Sequence, residues 1–378
     1  PRSNLIASRS FHGVSLNAHY NENPKIRNVS SDIERQLFFM NDFMCTHTEY
    51  QGVIPFSSDM EPLSVKEDGS QRRSITSSWF ELVLPLSTNL SMRDKLSSYI
   101  GKKVRYGKMF EVIDALAADV AYRHIGIGYD APEDKDIVIV TASVDGMRAT
   151  GDISVHEDIR LQAFMTYCGR SSMEIHVNMI QSGFLVGSTQ FIMVARDGEK
   201  SYRVPALMFE NPEEETEYRR GEARSQARIT KTKNSLSIKR PEDHEVTKIH
   251  ELYMRNKHLK AQKTAMLKRV FSNKSHSQEF VVDETQRFNF KYMSETLRKS
   301  INLMHNQDRN IHGKIFGGQI MKMGYELAFL VSMIHTEHHH SVHFYAVDDI
   351  SFIRPVNIGT IIEMTARVTY TKDNFMIV

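Results

Sequence analysis

Val144-Asp145-Gly146, a segment that closes on Met165-Thr166-Tyr167, returns as Val347-Asp348-Asp349 closing on Val368-Thr369-Tyr370. The two stretches align without a gap at an offset of 203 residues (144 to 347, 167 to 370). Upstream, Val104–His124 matches Ile315–His335 at an offset of 211 (104 to 315, 124 to 335), so the first copy's connector is longer by 8 residues. A repeat of this length is a duplicated domain and not a solenoid. The copies differ at matched positions. Asp114 stands where the second copy has Tyr325, while Asn310, His312 and Gly317 stand where the first has Tyr99, Gly101 and Tyr106. Each copy lacks what the other carries, which points to one composite site at the interface of the two.

Working outward, Trp79–Leu86 is rich in strand formers and contains Pro85, which cannot extend a ladder. Met109, Val112, Ile113, Leu116, Ala117, Val120 and Ala121 recur at three- and four-residue spacing and predict a helix with a broad apolar face. Five β-rich runs follow at 136–142, 152–156, 158–166, 173–180 and 187–195, separated by Gly, Asp and Ser. One long helix followed by a row of strands is an α+β pattern, an antiparallel sheet curled around a central helix. Residues 210–284 form a charged connector with one or two amphipathic helices. The second copy is expected from 285, with a strand at 296–304, a helix at 317–334 and strands at 342–347, 349–353 and 360–370. It reads as truncated, because the chain stops before the counterpart of the 187–195 strand. The domain reading is therefore 1–74 lead-in, 75–209 first copy, 210–284 connector and 285–378 incomplete second copy.

At 378 residues and 40% apolar content the chain can build more than one ordinary core. A net charge of +2 argues for no nucleic-acid partner, and the basic excess between Arg219 and Lys274 reads as a solvated linker. Two cysteines give no disulfide framework. No apolar run approaches the roughly 18 residues of a transmembrane helix. Residues 1–20 hold Arg2, Arg9 and four serines with no acid, the composition of an organellar transit peptide. Since the first residue is Pro1, the sequence reads as starting inside a longer precursor.

The strongest local signal for chemistry is Asn310-Ile311-His312-Gly313-Lys314-Ile315-Phe316-Gly317-Gly318-Gln319. Two glycines open a helix, so bare backbone N–H groups at its positive end can approach an anion or a polarised carbonyl. Asn310, His312 and Lys314 precede them and can orient a carbonyl, a water or a phosphate. Asp114 sits in an apolar helix between Ile113 and Ala115, where a raised pKa would suit a general base. Glu326 is one residue off register from Tyr325, about 100° around the helix, and ranks well below Asp114. His335, His338, His339, His340 and His343 cluster in sequence, but they span a loop, and no metal site is assigned to them. No Gly-x-Ser-x-Gly elbow appears, which disfavours serine hydrolysis.

These residues resemble the hotdog-fold acyl-coenzyme A thioesterases. The resemblance rests on Phe316-Gly317-Gly318-Gln319 opening an apolar helix, on Thr141-Ala142-Ser143-Val144-Asp145, and on Gly169-Arg170-Ser171-Ser172-Met173-Glu174-Ile175. It covers about residues 75–209 and 285–378 and is strongest for the mitochondrial two-domain members. It implies a tandem hotdog fold whose copies pair as a pseudo-dimer, with Asp114, Asn310, His312, Gly317 and Gly318 catalytic and Lys314, Phe316, Gln319, Arg170 and Ser171 binding substrate. Asp114 would activate a water or attack directly, and the glycine backbone would hold the thioester oxygen. The implied substrate is acyl-CoA, with no metal or redox cofactor, a homo-oligomer of two-domain chains and a mitochondrial matrix address. Alternatives are a 3-hydroxyacyl-thioester hydratase or dehydratase and a non-catalytic acyl-CoA-binding scaffold. The hydratase would favour Asp and His on one helix-loop segment; here they come from different copies.

Overall fold

A computed structural model describes residues 64–65, 71–126, 137–272, 291–310, 313–337 and 342–378. The transit-like start lies outside them, as do His312 and His338–His340. The apolar spacing around Met109–Ala121 folds as helix Tyr106–Ile125 (α1). It stops at Gly126, whose φ of 77° is left-handed and whose N–H bonds the Tyr122 carbonyl, the usual way a glycine satisfies a last-turn acceptor. Sixteen of its residues are buried, on every face rather than on one stripe.

One side of α1 is covered by strands Phe80–Leu84 (β1), Ile137–Ala149 (β2), Ile159–Cys168 (β3), Ser172–Gln181 (β4) and Phe184–Asp197 (β5). All pair antiparallel in the order β2-β5-β4-β3-β1. The stretch 152–156, expected as a strand, is instead a loop. Val104 N–H donates to Ile153 O and Val155 N–H to Lys102 O, tying it to the segment before α1.

Next come the connector helices Pro212–Lys233 (α2) and Asp243–Ser272 (α3), then strand Arg298–Leu303 (β6) and helix Gly317–Thr336 (α4). Ala346–Val347 (β7), Ile350–Ser351 (β8), Ile361–Ala366 (β9), Tyr370–Lys372 (β10) and Phe375–Ile377 (β11) complete the chain. The copy-two strands are shorter than the sequence suggested. Among the described residues they do not form one sheet around α4: β6 pairs β9, β10 pairs β11, and β7 and β8 join the edge of the first sheet at β2. In copy one, β5 bridges β2 and β4.

The joint at β2 respects the repeat. Val347 pairs Met147 and Ile350 pairs Val144. Val144 and Val347 are counterparts, as are Met147 and Ile350, so exchanging the copies maps the pairing onto itself. The helices behave alike. Gly318 abuts Phe110 and Glu111, while its counterpart Gly107 abuts Lys322 and Glu326. The start of α4 therefore crosses α1 antiparallel with a glycine at each near approach.

By Cα packing the chain divides into two compact units. One is Pro1–Gly221 with Ile301–Glu326 and His343–Ile362, and the other is Glu222–Ser300 with Leu327–Val342 and Glu363–Val378. Asp114, Thr141, Asn310, Gly317 and Gly318 belong to the first. No described helix is long and apolar enough to cross a membrane.

Candidate active site

Asp114 is 1% exposed, on the face of α1 turned toward the start of α4. Oδ2 accepts the Gly318 N–H at 2.6 Å, and Oδ1 accepts the Thr141 hydroxyl at 2.7 Å. Burial raises its pKa to about 6, against the lowering effect of the Thr141 and Gly318 hydrogen bonds. A carboxyl near 6 is ionised at neutral pH yet basic enough to take a proton, the compromise a general base needs. Thr141 reaches it on β2's regular alternation, just ahead of a local irregularity. Ile137 and Ile139 face the core at odd positions, the register slips between Thr141 and Ser143, and Val144 then faces inward at an even one. One extra residue thus lets Thr141 and Val144 both point at the helix.

The glycines have separate tasks. A Cβ on Gly317 would lie 3.0 Å from Asp114 Oδ2 and 3.4 Å from Thr141 Oγ1, so a bare backbone keeps the carboxylate clear. A Cβ on Gly318 would sit 2.7 Å from the Glu111 Cα, so that glycine permits the helix crossing. This corrects the expectation that both amides face a thioester oxygen, because the Gly318 N–H is already given to Asp114. As a first-turn residue, Gly317 has no i−4 helical acceptor for its N–H.

Asp114, Thr141, Asn310, Lys314, Phe316 and Gly317 line one cavity of about 1010 Å³, at the upper end of the range for small-molecule sites. Its apolar wall comes from Phe80, Leu82, Ala115, Leu116, Ala118, Tyr122 and Ile139, and exposed Arg354 adds a positive charge beside Lys314. Asn310 uses its side-chain oxygen to accept the Lys314 N–H at 3.0 Å, closing its own loop. Lys314 Nζ donates to the Asn357 side-chain oxygen at 2.9 Å.

Other expected residues fall elsewhere. Gln319 donates to Asp308 at 3.0 Å and is not part of the cavity wall. Arg170 and Ser171 sit in the β3–β4 turn, where their carbonyls accept from Val204 and Ala195, and neither lines the cavity. His312 lies outside the described residues. Glu326 is bound to Arg105 at 2.7 Å. Of the histidines, His343 faces Asp152 at 2.9 Å. Sequence reasoning quoted Thr141 without giving it a role. Its signal was the lone hydroxyl in the apolar run Ile137–Thr141.

The place equivalent to this site under exchange of the copies is occupied. Tyr106, Tyr325 and Phe344 are the counterparts of Gly317, Asp114 and Thr141 by the two offsets. Their rings meet at centroid distances of 6.2 Å (106 to 325), 4.5 Å (106 to 344) and 5.3 Å (325 to 344). The Tyr106 hydroxyl donates to Gly151 O at 2.8 Å.

The chain is 31% identical to mitochondrial acyl-coenzyme A thioesterase 9 of Homo sapiens over 83% of its own length and 68% of that protein's. It is 29% identical to mitochondrial acyl-coenzyme A thioesterase 10 of Mus musculus, over 80% of this chain and 66% of that one. No protein-family model matches. Among solved structures, an apo-hexameric acyl-CoA thioesterase aligns over 43% of this chain and 99% of its own at 24% identity, with a TM-score of 0.35.

Proposed function

The chain belongs to the acyl-coenzyme A thioesterase family, and from that premise we propose that it hydrolyses acyl-CoA thioesters at a composite site where Asp114 of copy one meets the Gly317 helix start of copy two. Asp114, buried, bonded to Gly318 and raised to about 6, carries this reading. Its carboxylate takes a proton from water as the water oxygen bonds to the thioester carbon. The carbonyl oxygen becomes an oxyanion beside the Gly317 N–H, a preorganised donor at the helix start. The C–S bond then breaks, and the sulfur leaves with a proton as free coenzyme A while the acid is released.

The rest of the substrate follows from the cavity. Lys314 and Arg354 suit the anionic end of CoA, and the apolar stripe suits the acyl chain. Asn310 is a positioning residue that fixes the loop carrying Lys314. The tandem hotdog reading, with bounds 75–209 and 285–378 and the copies paired as a pseudo-dimer, is supported by the self-matching pairings at β2 and at the helix crossing. Exposed Ile301 and Ile361 on paired strands support further homo-oligomerisation. The mitochondrial names of the relatives above support a mitochondrial address, and within it we place the chain in the matrix as our own reading. The direct test is thiol release from a panel of acyl-CoAs. No release at any chain length, from folded protein, would leave an acyl-CoA-binding protein in its place.

A further inference from the structure

Glu111 and Lys322 are counterparts in the repeat, 211 residues apart, and they touch each other. Lys322 Nζ lies 2.6 Å from Glu111 Oε1, with side-chain exposures of 14% and 2%. A position that meets its own counterpart lies on the local twofold relation between the copies. If two identical modules paired through this face, the residue there would meet itself. We propose that Glu111 and Lys322 form a pairing code, a buried opposite-charge contact that selects copy one against copy two and disfavours either copy against its like. The inference rests on the paired-copy reading but not on the thioesterase reaction.

The neighbouring charges set how strong each side of the code is. Glu111 also has Lys108 at 2.8 Å, so two copies of module one would each bring a lysine for their own acid. Copy two has Gln319 where copy one has Lys108. In a pairing of copy two with itself Arg105 is absent, so Glu326, four residues from Lys322 on the same helix, is released from its partner and can face the lysines. Each like pairing thus brings two like charges to the crossing, offset in part by a same-helix neighbour, while the mixed pairing alone joins opposite charges directly. The code also protects the composite site, because a like pairing joins Asp114 to Tyr106 or Tyr325 to Gly317 and never Asp114 to Gly317.

Full-length E111K, K322E and the double swap E111K/K322E test the code. Each single variant should melt about 5 °C or more below wild type, and the double swap should recover part of that loss, the rest being held back by Lys108 and Glu326, which the swap leaves beside a like charge. Differently tagged E111K and K322E chains, expressed together, should form a mixed dimer, because each chain's copy one then matches the other's copy two. A double swap as unstable as the singles, or co-expressed singles that never mix, would overturn the proposal. K322M guards against E111K failing to fold, since Glu111 keeps Lys108. K322M should hold its melting temperature within a few degrees and gain concentration-dependent species larger than wild type by light scattering. A wild-type mass at every concentration would count against the code. Mass and melting are read independently of thiol release, so an inactive but correctly paired chain would sink the thioesterase reading alone.

Discussion

The two faces that the helix crossing creates have had opposite fates. On one, Asp114, Thr141 and Gly317 leave a cavity beside a buried carboxylate; on the other, Phe344, Tyr325 and Tyr106 fill the equivalent volume with three rings. The open face holds a buried charge, which is costly and is kept tolerable by two donors to Asp114. The filled face replaces that cost with aromatic packing, and burial pushes the Tyr106 and Tyr325 phenols further from ionising. Duplication allows this division. On the paired-copy reading proposed above, a true homodimer would carry the buried charge twice, whereas fused copies can keep one working face and use the other for stability.

Asp114→Asn should break the comparison most severely. Loss of a general base costs roughly 10² to 10⁴-fold, and the amide retains the shape that fits between Thr141 and Gly318. Turnover near wild type would place the chemistry elsewhere. The pH profile sharpens the test. Asp114 must be ionised to accept a proton, so kcat/KM should fall as pH drops through about 6, and the residual rate of Asp114→Asn should lack that limb. Stability moves the other way. The folded pKa is raised above its unfolded value, so this group's favourable contribution is complete below about pH 4 and is lost as pH rises through about 6. Asp114→Asn should therefore gain melting temperature relative to wild type above pH 6. An equal pH response in both proteins would remove Asp114 as the titrating group.

Gly317→Ala comes next. Its methyl would lie 3.0 Å from the Asp114 carboxylate, so kcat should fall by about 10²-fold, the scale of a lost oxyanion donor, with the melting temperature nearly kept. Gly318→Ala should show the reverse weighting, because its methyl meets the Glu111 backbone at 2.7 Å and must part the helices. Identical profiles for the two would mean that the glycines share one task.

Much of this is legible in the amino-acid sequence. Offsets of 203 and 211 gave the duplication, and Asp114 and Gly317 stood out because their counterparts, Tyr325 and Tyr106, cannot replace them. Three things were not legible. That Val144 as well as Thr141 points at the helix depends on a register slip in β2, which leaves no trace in local propensity. The role of Gly318 depends on how closely two helices separated by two hundred residues approach. Arg170 and Ser171 match a family motif, yet their segment forms the β3–β4 turn, two strands across the sheet from Thr141, and neither lines the cavity.

Ala118→Phe tests the apolar end of the open face. Asp114, Ala115, Ala118, Asp119 and Tyr122 share one stripe of α1 along the cavity, and eight residues of helix span about 12 Å. Val138, which pairs Arg196, lies three residues from Thr141 along β2, a strand length of about 10 Å. An extended chain rises about 1.2 Å per bond, so roughly eight to ten carbons fit before the Asp119–Arg123 ion pair, at 2.7 Å, and the Tyr122 hydroxyl end the apolar wall. A ring at 118 should lower kcat/KM about tenfold for eight- to ten-carbon substrates and leave two- to four-carbon substrates within about twofold. A uniform loss across the panel would mean that the stripe does not measure chain length.

The smallest effect belongs to the filled face. Tyr106→Ala removes the ring nearest Phe344 and the hydroxyl that holds Gly151, and truncating a buried aromatic of this kind costs about 3 kcal/mol or more. The melting temperature should therefore drop by several degrees. Turnover should stay within about twofold, because opening space there supplies neither a carboxylate at 325 nor a hydroxyl at 344. A gain in rate would mean that the filled face retains groups able to act on a thioester. A large loss, with folding preserved at the assay temperature, would show that the rings hold the helix crossing in the geometry Asp114 requires. The two faces would then be coupled, and the filled one would position the open one as well as stabilise the fold.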